Sequence, residues 1–237
     1  MLKVFPVLVA AAALAITASA GSIKGKIVFE GEVPKIPPVD MSADPHCAAM
    51  HKDNPPVNEV LVLGDALELG NVLVTVTAGL PEGKTYPAET APAELTQEGC
   101  MYKPRVLVID AGQAVKFLNP DEILHNVNGM PRKNKPFNRA MSKTVTEMEI
   151  VFDQVEDPFP VKCDIHPWMR AFIAVVNNPF HSVSGKDGLF ALEGLEPGTY
   201  TIQAWHERLG TQTAEVTVPA EGDAEQNFTF VYKKGAK

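Results

Sequence analysis

The residues with the clearest chemical potential lie in one short segment, Cys163-Asp-Ile-His166-Pro-Trp-Met169, spaced C-x2-H-x2-M. A second imidazole, His125, follows the apolar run 114–118 and a proline turn. Thiolate and thioether sulfur favour Cu(I), whereas imidazole also accepts Cu(II). Two His, one Cys and a weak axial Met are the ligand set of a mononuclear blue-copper site. The sequence therefore predicts that these four side chains bind one copper ion.

Other interpretations of these residues are weaker. Zinc is the main rival metal, but Met is a poor zinc ligand, and the segment lacks a fourth Cys or His. A single buried Cys is usually an inert core residue, yet four potential ligands at this spacing favour a site. The haem motif C-x-x-C-H, the P-loop and the G-x-S-x-G motif are all absent from the sequence.

The elements that position these side chains are predicted to be short strands. Helical spacing of apolar residues is scarce, and turns rich in Gly, Pro, Asn and Asp separate runs of alternating or β-branched residues. Short runs separated by such turns are typical of all-β sandwiches. The predicted strands cover residues 23–29, 60–63, 72–77, 105–109, 114–118, 144–152, 172–176, 188–192, 199–204, 214–218 and 227–232.

Composition and charge exclude several classes of protein. The chain has 237 residues, of which 45% are hydrophobic, so it has enough apolar surface to bury a core and is not a disordered tail. Its formal net charge of −8 argues against nucleic acid as a partner, because phosphate binding needs a basic face.

The first twenty residues are predicted to be a secretory signal peptide. A basic start at Lys3 precedes an apolar run, and Ala18-Ser-Ala20 supplies the small-residue cleavage pattern. The apolar run is shorter than the roughly 20 residues that span a bilayer, and no later segment is long enough. We expect a periplasmic protein without a membrane span.

Three segments together resemble the amicyanin-type, plastocyanin-like cupredoxins. They are residues 102–119, the sequence His125-Asn-Val, and the loop Cys163-x2-His-Pro-Trp-Met-Arg170. The resemblance implies a cupredoxin Greek-key β-sandwich with one type 1 copper per chain. Carried over by position, it implies the metal ligands His125, Cys163, His166 and Met169.

The same resemblance implies roles for residues around the metal. Asn126 would steady the Cys163 loop from outside the ligand set. Trp168 and Pro167 would form an apolar docking patch around the exposed edge of His166. In addition, the basic run containing Arg132, Lys133 and Lys135 contains no acidic residue. We expect it to form a positive collar near the copper that steers an acidic redox partner.

Two further stretches resemble a second family, the carboxypeptidase regulatory-like (transthyretin-like) β-sandwich. They are the opening strands around residues 25–31 and 70–76, and the segment 185–202 with the pattern D-G-x-F-x-L-x-x-L-x-P-G-x-Y. The resemblance implies a discontinuous domain, residues 21–96 plus 178–237, with the cupredoxin domain, residues 97–177, inserted in or following it. Long insertions at loop tips are tolerated.

With Cys163 assigned to copper, Cys47 and Cys100 remain as a disulfide pair, as expected in an oxidising compartment. The histidines His46, His51 and His206 offer a possible accessory metal site at the domain junction. Ordinary surface and core histidines are the favoured interpretation of these three.

The combined prediction is a periplasmic one-electron carrier that exchanges electrons with a redox protein, a c-type cytochrome or a dehydrogenase. Enzyme activity is not expected, because a saturated His2CysMet site has no open position for substrate. The alternative is a copper-binding, metal-handling protein without an electron-transfer role. A purely structural sandwich would leave the ligand set unexplained.

Overall fold

The computed structural model describes residues 20–232, which form short strands and one short helix, so the expected all-β sandwich fold is confirmed. Helix α1 is Pro45–Met50. The strands are β1 Gly21–Glu30, β2 Leu73–Ala78, β3 Ala93–Gln97, β4 Tyr102–Lys103, β5 Val106–Asp110, β6 Ala114–Leu118, β7 His125–Gly129, β8 Phe137–Met141, β9 Glu147–Val151, β10 Glu156–Lys162, β11 Arg170–Val176, β12 His181–Val183, β13 Leu189–Leu195, β14 Gly198–His206, β15 Gly210–Val218, β16 Ala224–Glu225 and β17 Phe228–Val231.

The predicted signal peptide lies almost wholly outside the described residues, which begin at residue 20. Between residues 20 and 232, the structure contains no helix with the length and apolar character needed to cross a bilayer.

The strands near the two ends of the chain form one pair of sheets, which we call the flanking sandwich. In one sheet β1 pairs antiparallel with β13 and parallel with β16 and β17, and in the other the order is β12-β2-β14-β15. Their inward-facing residues share one apolar core, which includes Ile23, Ile27, Val74, Ile202 and Phe230. Strands distant in sequence are thus held together by burial of this core.

The strands from β3 to β11 form the other pair of sheets, which we call the central sandwich. One sheet has the order β5-β11-β10-β7-β8 and the other β4-β3-β6-β9. Its core contains Leu95, Phe117, Val127 and Ile173, and also the Cys163 and Met169 of the predicted site.

The sheet order bears on the expected division of the chain. Strands β1 and β2 precede the central sandwich in sequence, and β12 to β17 follow it, yet both sets share the flanking sheets. Strand β3 pairs with β4 and β6 and begins at Ala93, so the central sheets start before the expected boundary at residue 97. Independent folding of the two units stays a prediction.

A buried ion pair joins the two sandwiches. Arg105, between β4 and β5, donates to both carboxylate oxygens of Glu207 at 2.7 and 2.8 Å, and to the carbonyl oxygen of Arg170 at 2.8 Å. Only 4% of the Arg105 side chain and 7% of the Glu207 side chain are exposed. The flanking sandwich is therefore linked, through Arg105, to the residue that directly follows Met169.

Candidate metal centre

Strand pairing brings the two distant parts of the predicted site together. The loop from Cys163 to Met169 joins β10 to β11, which pair antiparallel, and Lys162 lies opposite Arg170 across its base. Strand β7 also runs antiparallel to β10, so its first residue, His125, lies near the end of β10, where the loop begins. Two backbone bonds close the loop: Cys163 N donates to Met169 O at 3.2 Å, and Met169 N donates to His166 O at 2.9 Å.

Three potential ligand atoms converge in this part of the central sandwich. The ligand atoms of His125, Cys163 and His166 all lie within 4.8 Å of one another. The Nδ1 atoms of the two histidines are 2.9 Å apart, and Cys163 Sγ is 3.8 Å from His166 Nδ1. None of the three residues is more than 2% exposed, and Met169, in the same loop, is fully buried.

Both imidazoles direct their other nitrogen at a carboxylate. His125 Nε2 is 2.9 Å from Asp121 Oδ2, and His166 Nε2 is 3.0 Å from Asp44 Oδ2. A carboxylate accepts hydrogen bonds and does not donate them, so each Nε2 carries a hydrogen. Neither Asp44 nor Asp121 is predicted from the sequence. Asp44 lies 122 positions from His166, and no local pattern links the two.

This arrangement leaves electron pairs facing one another. With hydrogens on both Nε2 atoms, the lone pairs of both Nδ1 atoms point into the space that the Cys163 sulfur also faces. Electron-pair donors that converge on one buried space repel each other unless a proton or a metal cation lies between them. Outer carboxylates on ligating histidines are also the usual second layer of a metal site. The donor set therefore fits a metal ion.

The electrostatics of the cluster also favour a bound cation. Burial disfavours the charged form of His125, but the Asp121 carboxylate and Cys163 outweigh burial and raise the pKa of this imidazole to about 9. Burial also opposes ionisation of Cys163, yet His125 and the backbone N–H groups around the sulfur lower the pKa of its thiol. Without a metal, a proton is held where a cation would bind.

Asn126 lies against the loop through its side-chain amide. Its Oδ1 accepts from the backbone N–H of Asp164 at 2.7 Å and from Cys163 Sγ at 3.3 Å. Its Nδ2 donates to the side chains of Asn138 and Asp164. The amide thus fixes the backbone that carries Cys163, in the place that the resemblance implied.

The expected exposed edge of His166 is not exposed. Asp44 covers Nε2, and His166 is only 2% exposed, so that part of the docking prediction is wrong. Trp168 is partly exposed, its ring centroid is 5.1 Å from that of His166, and its Nε1 donates to Cys100 O at 3.0 Å. Pro167 is exposed. The indole and the proline ring therefore remain the accessible apolar groups of the loop.

The basic loop lies far from the cluster. Lys133 Nζ donates to Val155 O, Arg132 N donates to the Glu156 carboxylate, and Lys135 belongs to the same loop. These contacts are at the beginning of β10, whereas Cys163 follows its end. Seven residues of strand at about 3.3 Å each separate them by roughly 20 Å. The expectation of a positive collar beside the metal is wrong, because β10 runs away from this loop.

The three accessory histidines do not meet. His46 is exposed on α1, and His51 Nε2 is 2.6 Å from Gly99 O. His206 is fully buried in the flanking sandwich, where its Nδ1 accepts from the N–H groups of Arg208 and Leu209. Among residues 20–232, the clusters of potential ligands include none of these three histidines.

The cysteine assignment agrees with the structure. Cys47 and Cys100 form a disulfide, so that prediction is confirmed. Cys163 is a free, buried thiol.

Neither a family model nor a curated protein matches the chain. A copper-containing nitrite reductase from Thermus scotoductus SA-01 is similar at 22% identity over 43% of this chain and 26% of that chain, with a TM-score of 0.34. The chain thus spans about a quarter of that enzyme. A purple cupredoxin from Nitrosopumilus maritimus is similar at 25% identity over 35% of this chain and 99% of that chain, with a TM-score of 0.30.

Amicyanin from Paracoccus versutus is similar at 24% identity over 44% of this chain and 97% of that chain, with a TM-score of 0.32. Each of these three similarities covers less than half of the chain.

Proposed function

We propose that the protein is a periplasmic one-electron carrier in which His125, Cys163, His166 and Met169 hold a single type 1 copper. The observation that carries the proposal is the convergence of three ligand atoms, from two distant segments, within 4.8 Å in a buried space. A mixed set of thiolate, imidazole and thioether suits both oxidation states of copper.

The chain's own residues prepare this site for electron transfer. Bound copper would supply the change between Cu(I) and Cu(II). The lowered pKa of the Cys163 thiol favours the thiolate, which is the ligating form. Asp121 and Asp44 fix the two imidazole rings, and Asn126 fixes the loop, so the ligands are held in place while the metal charge changes. Four donors leave no open position for substrate, which favours a carrier over an enzyme.

The partner is proposed to be a redox protein, a c-type cytochrome or a dehydrogenase, docking on Trp168 and Pro167. Trp168 supports this surface because its ring lies beside His166 and reaches solvent. Export is supported by the pattern of residues 1–20, and it predicts Gly21 as the first residue of the mature chain.

The deciding experiment compares optical and EPR spectra of the copper-loaded protein with those of Cys163→Ser. We expect one copper per chain, an intense thiolate-to-Cu(II) absorption that is reversibly lost on reduction, and its complete loss in the variant. His206→Asn is the matched control, because it changes a buried histidine outside the cluster and should keep the colour. A wild-type protein with stoichiometric Cu(II) and no such absorption contradicts the proposal.

A metal-handling protein is the second candidate, and the near-complete enclosure of the donor set favours it, since enclosure also suits storage. Such a protein would hold Cu(I), show little colour and surrender the metal to a competing chelator. A carrier would retain its copper through repeated reduction and oxidation.

A further inference from the structure

A segment from outside the central sheets lies across the outer side of the metal cluster. We call residues 39–51 the cover. Its Met41 and Cys47 are buried in the central core. Its Asp44 begins α1, because Oδ1 accepts from the N–H groups of His46 and Cys47, and Oδ2 pairs with His166 Nε2 at 3.0 Å. One carboxylate thus fixes the start of the helix and blocks the outer edge of a ligand histidine.

The turn at Gly99 and Cys100, between β3 and β4, binds the other outer carboxylate, that of Asp121. Asp121 accepts from the N–H groups of Gly99 at 2.9 Å and Cys100 at 2.7 Å, and it pairs with His125 Nε2. Gly99 and Cys100 have φ angles of 63° and 55°, which turn both N–H groups toward this carboxylate. A left-handed conformation is unfavourable for Cys and persists only where the surroundings enforce it.

The disulfide joins these two halves. Cys47 lies in the helix that Asp44 begins, and the N–H of Cys100 contacts Asp121. This covalent bond therefore connects the segment that carries Asp44 to the turn whose N–H groups hold Asp121. The cover also contacts this turn through His51 Nε2, which lies 2.6 Å from Gly99 O.

We propose that the cover is the gate through which the metal enters, and that the Cys47–Cys100 disulfide locks this gate after loading. The inference deepens the proposed function and rests on it. The three ligand side chains are at most 2% exposed, so a hydrated ion reaches them only when a neighbouring segment moves. A groove of about 310 Å³ between residues 38–40, where the cover begins, and Trp168 brings solvent to the edge of the cover. The cover is also joined to none of the sheets by strand pairing.

The locking step is a thiol–disulfide exchange. In the open protein, one of the two thiols, as thiolate, attacks a disulfide-bearing oxidant protein of the export compartment and forms a mixed disulfide. The second thiol then displaces the oxidant and closes the Cys47–Cys100 bond. Two electrons and two protons pass from the pair to the oxidant, which leaves as a dithiol.

The test measures access to His166 in the metal-free protein by acylation with diethyl pyrocarbonate and peptide mass spectrometry. Wild type is compared with the double variant Cys47→Ser, Cys100→Ser. His46 is the exposed internal control, and His206 is the fully buried one. We expect the rate at His166, relative to His46, to rise at least about tenfold in the variant, because the lost cross-link populates local opening. Equal protection of His166 in both proteins overturns the proposal.

A second measurement is needed if the double variant does not fold, which reaction at His206 would reveal. Folded wild type is then reduced with a phosphine, and new thiols and acylation of His166 are followed together. Reactivity that rises with the thiol count supports the gate, and thiols that form without it overturn the gate.

The rate of Co(II) binding can be monitored by the thiolate-to-Co(II) absorption. It should be at least about tenfold higher in the double variant, with the same final spectrum. Acylation uses no metal, so a colourless copper protein would overturn the proposed carrier without affecting the result for the cover.

Discussion

The two sandwiches each bury a histidine completely, yet they treat it in opposite ways. In the flanking sandwich, burial together with the charges of Arg105 and Arg208 lowers the pKa of His206 to about 4. In the central sandwich, burial acts in the same direction on His125, but Asp121 and Cys163 overcome it and raise the pKa to about 9. In the metal-free protein, equal burial therefore leads to a neutral imidazole in one core and a cationic one in the other.

The structural histidine and the candidate ligands differ in the groups that surround them. His206 Nδ1 accepts two backbone N–H groups, and its Nε2 has no hydrogen-bond partner among the described residues. The charges of Arg105 and Arg208 act on it, and both disfavour a cation at this position. At His125 and His166, both nitrogens are engaged, and a carboxylate stands behind each ring. Local negative charge, rather than burial, prepares a core for a metal ion.

The largest effect is expected at the ion pair between the two sandwiches. Arg105→Met leaves the Glu207 carboxylate buried without its partner, and breaking such a pair costs about 3–5 kcal/mol. Denaturant unfolding of the metal-free protein measures the loss. The double variant Arg105→Met, Glu207→Met should recover most of it, since apolar replacement of a whole buried pair is often neutral. If Arg105→Met alone is as stable as wild type, the pair does not join the sandwiches energetically.

A second prediction concerns the pH dependence that His206 imposes. Its pKa is lower in the folded than in the unfolded chain, so the unfolded chain binds the proton first as pH falls. Both states are neutral above pH 6.5, and stability is lost between about pH 6.5 and pH 4, by roughly 3 kcal/mol for a shift of this size.

His206→Asn keeps an acceptor near the position of Nδ1 and removes the titration. Subtracting the free energy of unfolding of this variant from that of wild type at each pH isolates the effect from the carboxylates. A flat difference between pH 6.5 and pH 4 would show that burial of His206 carries no penalty on its charge.

Part of the molecule follows from the sequence because it is encoded locally. The spacing of Cys163, His166 and Met169 predicts a ligand loop, and the structure places these residues in a tight connection between paired strands. The carboxylates of Asp44 and Asp121 were not predicted. One lies in a proline-rich segment and the other in a turn, where acidic residues are normally solvated, and only the tertiary fold brings them to the imidazoles.

The strand predictions fail where composition conflicts with packing. Strand β10 contains Pro158 and Pro160, which argue against a strand, yet it pairs with β11 and β7. Strand β8 was not predicted, because it is polar and has little apolar alternation. Conversely, residues 60–63 read as a strand but contribute only the isolated bridge of Leu63 to Leu69. Sheet context, which a single segment does not encode, decided each case.

Removing the charge of Asp121 tests why the pKa of His125 differs from that of His206. Asp121→Asn keeps the size of the side chain but removes the charge that raises the pKa of His125. We expect copper affinity to fall about 10–100-fold, as for other outer partners of ligating histidines. Competition titration against a chelator measures it. Asp223→Asn is the matched control, because that carboxylate is exposed in the flanking sandwich and pairs with Lys24 and the Ser22 N–H instead of a ligand.

The same variant changes the pH dependence of the metal-free protein. In wild type, the raised pKa of His125 contributes stability that is fully present below about pH 6.5 and is lost as pH rises through about 9. Asp121→Asn should lower stability below pH 6.5 and flatten the profile between pH 6.5 and 9. A variant with the profile of wild type would show that Asp121 does not set the charge of His125.

The smallest effect is expected at an ion pair on the surface of the flanking sandwich. Lys24 Nζ lies 2.7 Å from Asp223 Oδ2, a distance equal to that of Arg105 to Glu207, but the two side chains are 51% and 46% exposed. Water and salt screen such a pair, and holding two mobile side chains together costs entropy. Lys24→Met should therefore leave the denaturation midpoint unchanged, while Arg105→Met lowers it in the same assay. Because the two pairs match in charge and contact distance, unequal losses isolate burial and the bidentate geometry of Arg105 as the cause. A midpoint that falls equally in both variants would mean that neither explains the strength of the junction.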